Sequence, residues 1–164
     1  MDGKKIKKLV IALILVILAG LAYLFLLRYS DKQKEAESQK ELLAGYGITE
    51  EAMGCPIRSS METVLLGYSE YGKPVYQDKN AHEADGIIVS CRIKPHNAFR
   101  GPYESGVCKM MVVGLGKQKG AESVHSDGLG NMARNLPANA KVVVENSNIL
   151  FAIPCVENAY DETA

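Results

Sequence analysis

Arg92, Lys94, His96, Arg100 and Lys109 stand within eighteen residues of one another, and His125 follows sixteen residues after Lys109. Such a density of cations suits an anion. Arginine offers a planar fork to a carboxylate or phosphate, and lysine a mobile ammonium. The imidazoles widen the options, because a neutral histidine is either a proton acceptor or a ligand for a soft metal. Types and spacing alone leave anion binding, proton transfer and metal ligation open. Each residue also has an ordinary explanation. A loop histidine is commonly a hydrogen-bonded surface group, His125 at a helix end complements the helix dipole, and Lys109 beside Cys108 and Met110 can snorkel from an amphipathic helix. Gly114-Leu115-Gly116-Lys117 has the look of a phosphate loop, but Gln118 stands where that loop needs Ser or Thr. Met111 also occupies the place of its first glycine, which excludes a Walker A site. His82, in Asn80-Ala81-His82-Glu83, has no chemically interesting neighbour and reads as helix surface.

The elements that must position these residues are legible in outline. Asp85-Gly86 introduces Ile87-Ile88-Val89-Ser90-Cys91-Arg92-Ile93, a nearly continuous apolar run that predicts a strand buried on both faces, as in a parallel sheet. Pro95 and Gly101-Pro102 then put His96 and Arg100 on a loop at the carboxyl end of that strand, where open α/β sheets carry their ligand sites. The stretch 104–113 predicts a helix carrying Lys109, and 117–125 a second helix ending at His125, with the path through Gly114, Gly116 and Gly120 undetermined. Upstream, 62–68 and 73–76 flank Glu70-Tyr71-Gly72 as a hairpin, and Thr49 caps a short helical turn closed by Gly54. Downstream, 141–145 and 149–153 both read as strands. Strands separated by helical material make the fold class α/β, a partial domain with a mixed or parallel sheet.

Composition sets the outer bounds. The 164 residues carry 19 basic and 19 acidic side chains, so no electrostatic case for a nucleic-acid partner exists. From Leu9 to Leu27 there is no charge, and roughly 28 Å of helix at 1.5 Å per residue matches the hydrocarbon core of a bilayer. Lysines 4, 5, 7 and 8 precede the run; Arg28, Lys32 and Lys34 follow it. The expectation is a basic segment and single transmembrane helix in 1–30, a polar linker or helix in 31–40, and the α/β domain in 41–164. A signal peptide is the rival reading, although its apolar core is shorter. Basic residues on both sides leave the side of the soluble part open. Cys55, Cys91, Cys108 and Cys155 match neither a CxxC zinc site nor a dense disulfide framework. Cys91 and Cys155 lie in apolar runs and are expected to be buried free thiols.

Three stretches carry a family resemblance: CPIRSSME from Cys55, EADGIIVSCRIKPHNAFRGPYESGVCKMMVVGLGKQKGAESVH from Glu83, and ILFAIPCVENAYDETA from Ile149. Together they resemble the lactate racemase-like family, the nickel-pincer nucleotide proteins, over about residues 36–164. The resemblance implies a 2-hydroxy acid racemase or epimerase domain. It implies that Lys109 tethers the nickel-pincer nucleotide, that Arg100 helps to bind it, that His125 ligates nickel and that His96 is a catalytic base. The family's second catalytic histidine falls in an earlier region that this chain replaces with the apolar run, and His82 does not match it. The glycine cluster that the family places before its lysine is here Gly106-Val107-Cys108. The expectation is therefore an incomplete first domain with little or no turnover of its own. A membrane-tethered, non-catalytic module binding an anion or nucleotide is the alternative.

Overall fold

The computed structural model describes residues 37–158 without a break, together with Ile17, Leu18, Leu21, Ser30, Lys34 and Tyr160. Apart from three of its positions, the apolar run 9–27 expected to span a membrane lies outside the described residues. Among the described residues no helix is long and apolar enough to cross a membrane. The chain divides into two units, Met1–Ser59 and Ser60–Ala164.

In the first unit a helix α1 covers 37–45 and a single turn α2 covers Glu50–Met53. The expected cap is present: Ala52 N–H donates to Thr49 Oγ1 at 3.1 Å, and Gly54 closes the turn at φ 64°. Glu50 joins the two pieces, accepting from Lys40 Nζ at 3.1 Å and from the Ile57 N–H at 2.9 Å.

The second unit is mixed α/β with two small sheets. Strands β1 (Thr63–Tyr68) and β2 (Pro74–Asp78) form the predicted antiparallel hairpin, with Gly72 N–H donating to Ser69 O at 2.8 Å across the turn. After a short helix α3 (Lys79–His82), strand β3 (Ile87–Ile93) pairs in parallel with β4 (Ile149–Val156). The crossover between them holds α4 (Val107–Lys109), a π-helical segment at Met110–Gly114, α5 (Lys117–His125) and α6 (Met132–Asn146). Parallel neighbours require a long connection of this kind.

Helix α6 supplies the spine of the core. Met132, Asn135, Leu136, Asn139, Ala140 and Val143 are buried at spacings of three and four, and meet Val75, Ile87, Val89, Phe99, Met111, Val112 and Val124. The strand expected at 141–145 is thus the last part of α6. Its β-branched triplet favours a strand locally, but Val142 and Val143 continue the buried stripe begun at Met132, and tertiary packing overrides propensity. The helix expected at 104–113 starts later, at Val107, and widens into the π segment directly after Lys109. Such wide turns recur at functional sites. Helix α5 then returns along the π segment so closely that a Cβ at Gly120 would run into the Val112 carbonyl oxygen. That approach is what the glycine permits.

Strand β3 is buried on one face only. Ile87, Val89 and Cys91 turn inward at 6, 3 and 8% exposure, whereas Ile88 is 52% exposed. The apolar run had implied cover on both faces. Among the described residues, Ile88, Phe151 and Ile153 leave the second face of β3–β4 open. Cys155 lies on this exposed part of β4, contrary to the burial expected of it, while Cys91 is buried.

Candidate functional site: a cationic cleft at the ends of the parallel strands

The segment after β3 is irregular, as Pro95 and Gly101-Pro102 require, and it is closed into a loop by one carboxylate. Glu104 accepts the His96 N–H through Oε2 at 2.8 Å and the Gly101 N–H through Oε1 at 3.3 Å. Those two backbone donors hold its carboxyl below the usual glutamate range, with the nearby Arg100 guanidinium adding to the effect. Arg100 braces the same loop. Its Nη1 donates to the His96 carbonyl and, at 3.0 Å, to the Phe99 carbonyl, and lies 3.7 Å from Glu104 Oε2. Buried Phe99 packs its ring 4.4 Å from the His96 ring, which ties the imidazole to the core. A Cβ at Gly101 would come within 2.7 Å of Ala133 Cβ, so the loop lies directly on α6.

This loop forms one wall of a cleft of about 470 Å³, lined by Lys94, Pro95, His96, Asn97, Arg100, Ser105, Lys109 and Asn158. It opens at the carboxyl ends of β3 and β4, the edge at which parallel sheets present ligands. His96, Arg100 and Lys109, singled out from sequence, therefore share one cleft. The Lys109 ammonium makes no hydrogen bond or ion pair among the described residues. His125 does not line the cleft. Partial burial pushes the His96 pKa below its ordinary value, the Lys109 charge adds to that, Glu104 opposes it, and His125 and Arg100 lower it further. The net effect favours the neutral imidazole.

Hydrogen bonds fix both tautomers. The Ala98 N–H can only donate, so His96 Nδ1, 3.1 Å away, accepts, and the neutral ring carries its proton on Nε2. The Ala121 carbonyl can only accept, so His125 Nδ1, 2.6 Å away, donates and leaves the Nε2 lone pair available. A ring nitrogen bonded to a backbone carbonyl is the usual arrangement behind a ligating imidazole. Among the described residues no group of three or more His, Cys, Asp or Glu could hold a metal ion. A metal beside His125 would need its remaining ligands from whatever group carried it.

His82 stays apart on α3, its Nδ1 3.3 Å from Gln77 Oε1. Sequence reading missed Glu104, Ser105 and Asn158. Glu104 had a signal, an acid following the Gly101-Pro102 break, whereas Asn158 joins only because β4 pairs in parallel with β3. Comparison with protein-family models, with curated proteins and with solved structures returns no match.

Proposed function

We propose that this unit is a lactate racemase-like hydroxy-acid module whose cleft receives an anionic, nucleotide-type cofactor of the nickel-pincer kind. The observation that carries the reading is the Lys109 ammonium, unpaired among the described residues, in one cleft with His96 and Arg100. The residues fit the group in three respects. Lys109 and Arg100 would hold its phosphate and carboxylate charge, Lys109 is the nucleophilic amine available for a covalent tether, and the His125 Nε2 would ligate nickel that the cofactor itself brings. When bound, such a group takes up and returns hydride from the carbon of a 2-hydroxy acid.

The chain's own residues do the rest. Arg100, and Lys109 while it carries no tether, draw a carboxylate into the cleft. His96 presents an Nε2–H that donates to a substrate oxygen. To accept a proton in its turn, it must release the Ala98 N–H or hand on the proton held at Nε2. The absence of a second histidine from the cleft lining, among the described residues, favours the narrower reading: a module that binds cofactor and acid without turnover. The run 9–27 would tether it to a membrane, which carbonate extraction of the full chain tests; recovery of uncleaved chain in the soluble fraction would rule the anchor out.

The deciding experiment is co-expression of the full chain with pincer-synthesis enzymes, followed by intact mass, nickel content and chiral analysis of added L-lactate. A nucleotide adduct lost in Lys109→Arg, with nickel lost in His125→Ala, supports the cofactor assignment. Appearance of D-lactate selects the racemase, and its absence the binding module. A chain that takes up neither nickel nor nucleotide refutes both.

A further inference from the structure

Beside the cationic cleft lies a second pocket of about 300 Å³ with apolar walls. Ile93, Pro102, Tyr103, Val107 and Cys108 line it, and Ser105 and Lys109 line both it and the cleft. The shared residues make the two cavities adjoining halves of one amphiphilic depression. Burial pushes the Cys108 thiol pKa up, so at neutral pH that wall is an uncharged, weakly polar surface. Glu104 also borders the pocket, but both its oxygens accept backbone N–H groups of its own loop. Its charge is directed into the loop. Tyr103, 54% exposed, forms an aromatic lip.

Size indicates what this half would take. The methyl group of lactate occupies roughly the volume of a water molecule, about 30 Å³, an order of magnitude less than the pocket. A cavity near the lower end of the usual range for ligand sites suits a branched aliphatic or aryl group. We propose that the apolar pocket is a side-chain subsite for a 2-hydroxy acid bearing a large apolar group. The acid's carboxylate lies against Lys109 and Arg100, and its side chain against Ile93, Val107 and Tyr103. This rests on the cleft being a hydroxy-acid site, as argued above.

The test titrates the purified full chain calorimetrically with lactate, 2-hydroxyisocaproate and 3-phenyllactate, and separately with AMP as a probe of the cleft alone. Burying the larger side chains should tighten binding at least tenfold over lactate. Val107→Phe fills the pocket and should bring the three acids within about threefold of one another. Tyr103→Ala, at an exposed position where folding is not at risk, should also reduce the preference. Equal affinity of the unmodified chain for all three acids overturns the subsite and leaves the cleft standing. Full preference retained in both variants also overturns it. Binding of AMP without any of the acids removes the subsite and makes the cleft a nucleotide site only. Binding of none of the four probes removes subsite and cleft together.

Discussion

Two charged clusters in the second unit are built from the same residue types and end differently. In one, Asp127 gathers Lys73, Arg134 Nη2 at 3.1 Å and Asn135 Nδ2 at 3.4 Å, while Lys73 also donates to Ser126 Oγ at 2.6 Å. Arg134 lies 4.4 Å over the Tyr71 ring. This cluster fastens the β1–β2 turn to the connection between α5 and α6, and its cations are answered. In the other, at the ends of β3 and β4, Glu104 spends its oxygens largely on backbone N–H groups, and among the described residues the Lys109 ammonium is left without an acid. The first arrangement holds structure together. The second keeps charge in reserve for a ligand, and there the Lys109 charge adds to the partial burial that lowers the His96 pKa.

The largest expected effect removes the frame on which both clusters hang. Val89 is 3% exposed on the inner face of β3. Val89→Asp leaves an unpaired charge there at a cost of several kcal/mol, and no cooperative melt of the full chain should remain. A folded Val89→Asp protein would mean that the β3 face is not the core. Next comes the reserve itself. Lys109→Gln should weaken AMP binding about tenfold or more, since a hydrogen bond to a charged group is lost. In the free protein the same change should raise the His96 pKa, followed by NMR, because one of the charges holding it down is gone. An unchanged His96 titration would separate Lys109 from the cleft.

A third change asks whether an unpaired polar group is a sufficient sign of function. Asn139 is 1% exposed and neither of its amide atoms has a partner among the described residues, yet it lines neither the cleft nor the apolar pocket. Asn139→Leu should stabilise the fold by about 1–2 kcal/mol in chemical denaturation and leave AMP binding as it was. A loss of binding would place a third functional group inside the core. The smallest effect belongs to the answered cluster. The Lys73 hydrogen bond, assisted by Asn135 and Ser126, holds the Asp127 carboxyl below its ordinary value of 3.8. A depressed carboxylate pKa adds stability above the unfolded value, and that stability is lost as pH falls through the folded one. Asp127→Asn should therefore lower Tm slightly at pH 7, and the gap to the unmodified protein should close as the pH falls below that range. A gap that widens in acid would contradict the pairing.

Much of this was written locally. Alternating or continuous apolar residues give the strands at 63–68, 74–78, 87–93 and 149–156. Pro95 and Gly101-Pro102 break the chain where the loop forms, and Thr49 and Gly54 bound α2. Such signals depend on φ, ψ and side-chain period, which neighbouring residues largely set. His96, Arg100 and Lys109 stood out because cations and an imidazole were dense beyond a strand end. Packing decided the rest. Val142, Val143 and Val144 became helix because α6 carries a buried stripe from Met132 onward, and the exposed second face of β3 could not be read from Ile88, whose type favours burial on either side. Glu104's grip on the loop, the tautomers of His96 and His125, and the joining of Asn158 to the cleft each depend on atoms brought together from distant or folded-back positions. Sequence fixes which groups are available, and only the folded chain determines which donor meets which acceptor and which charge is left unanswered.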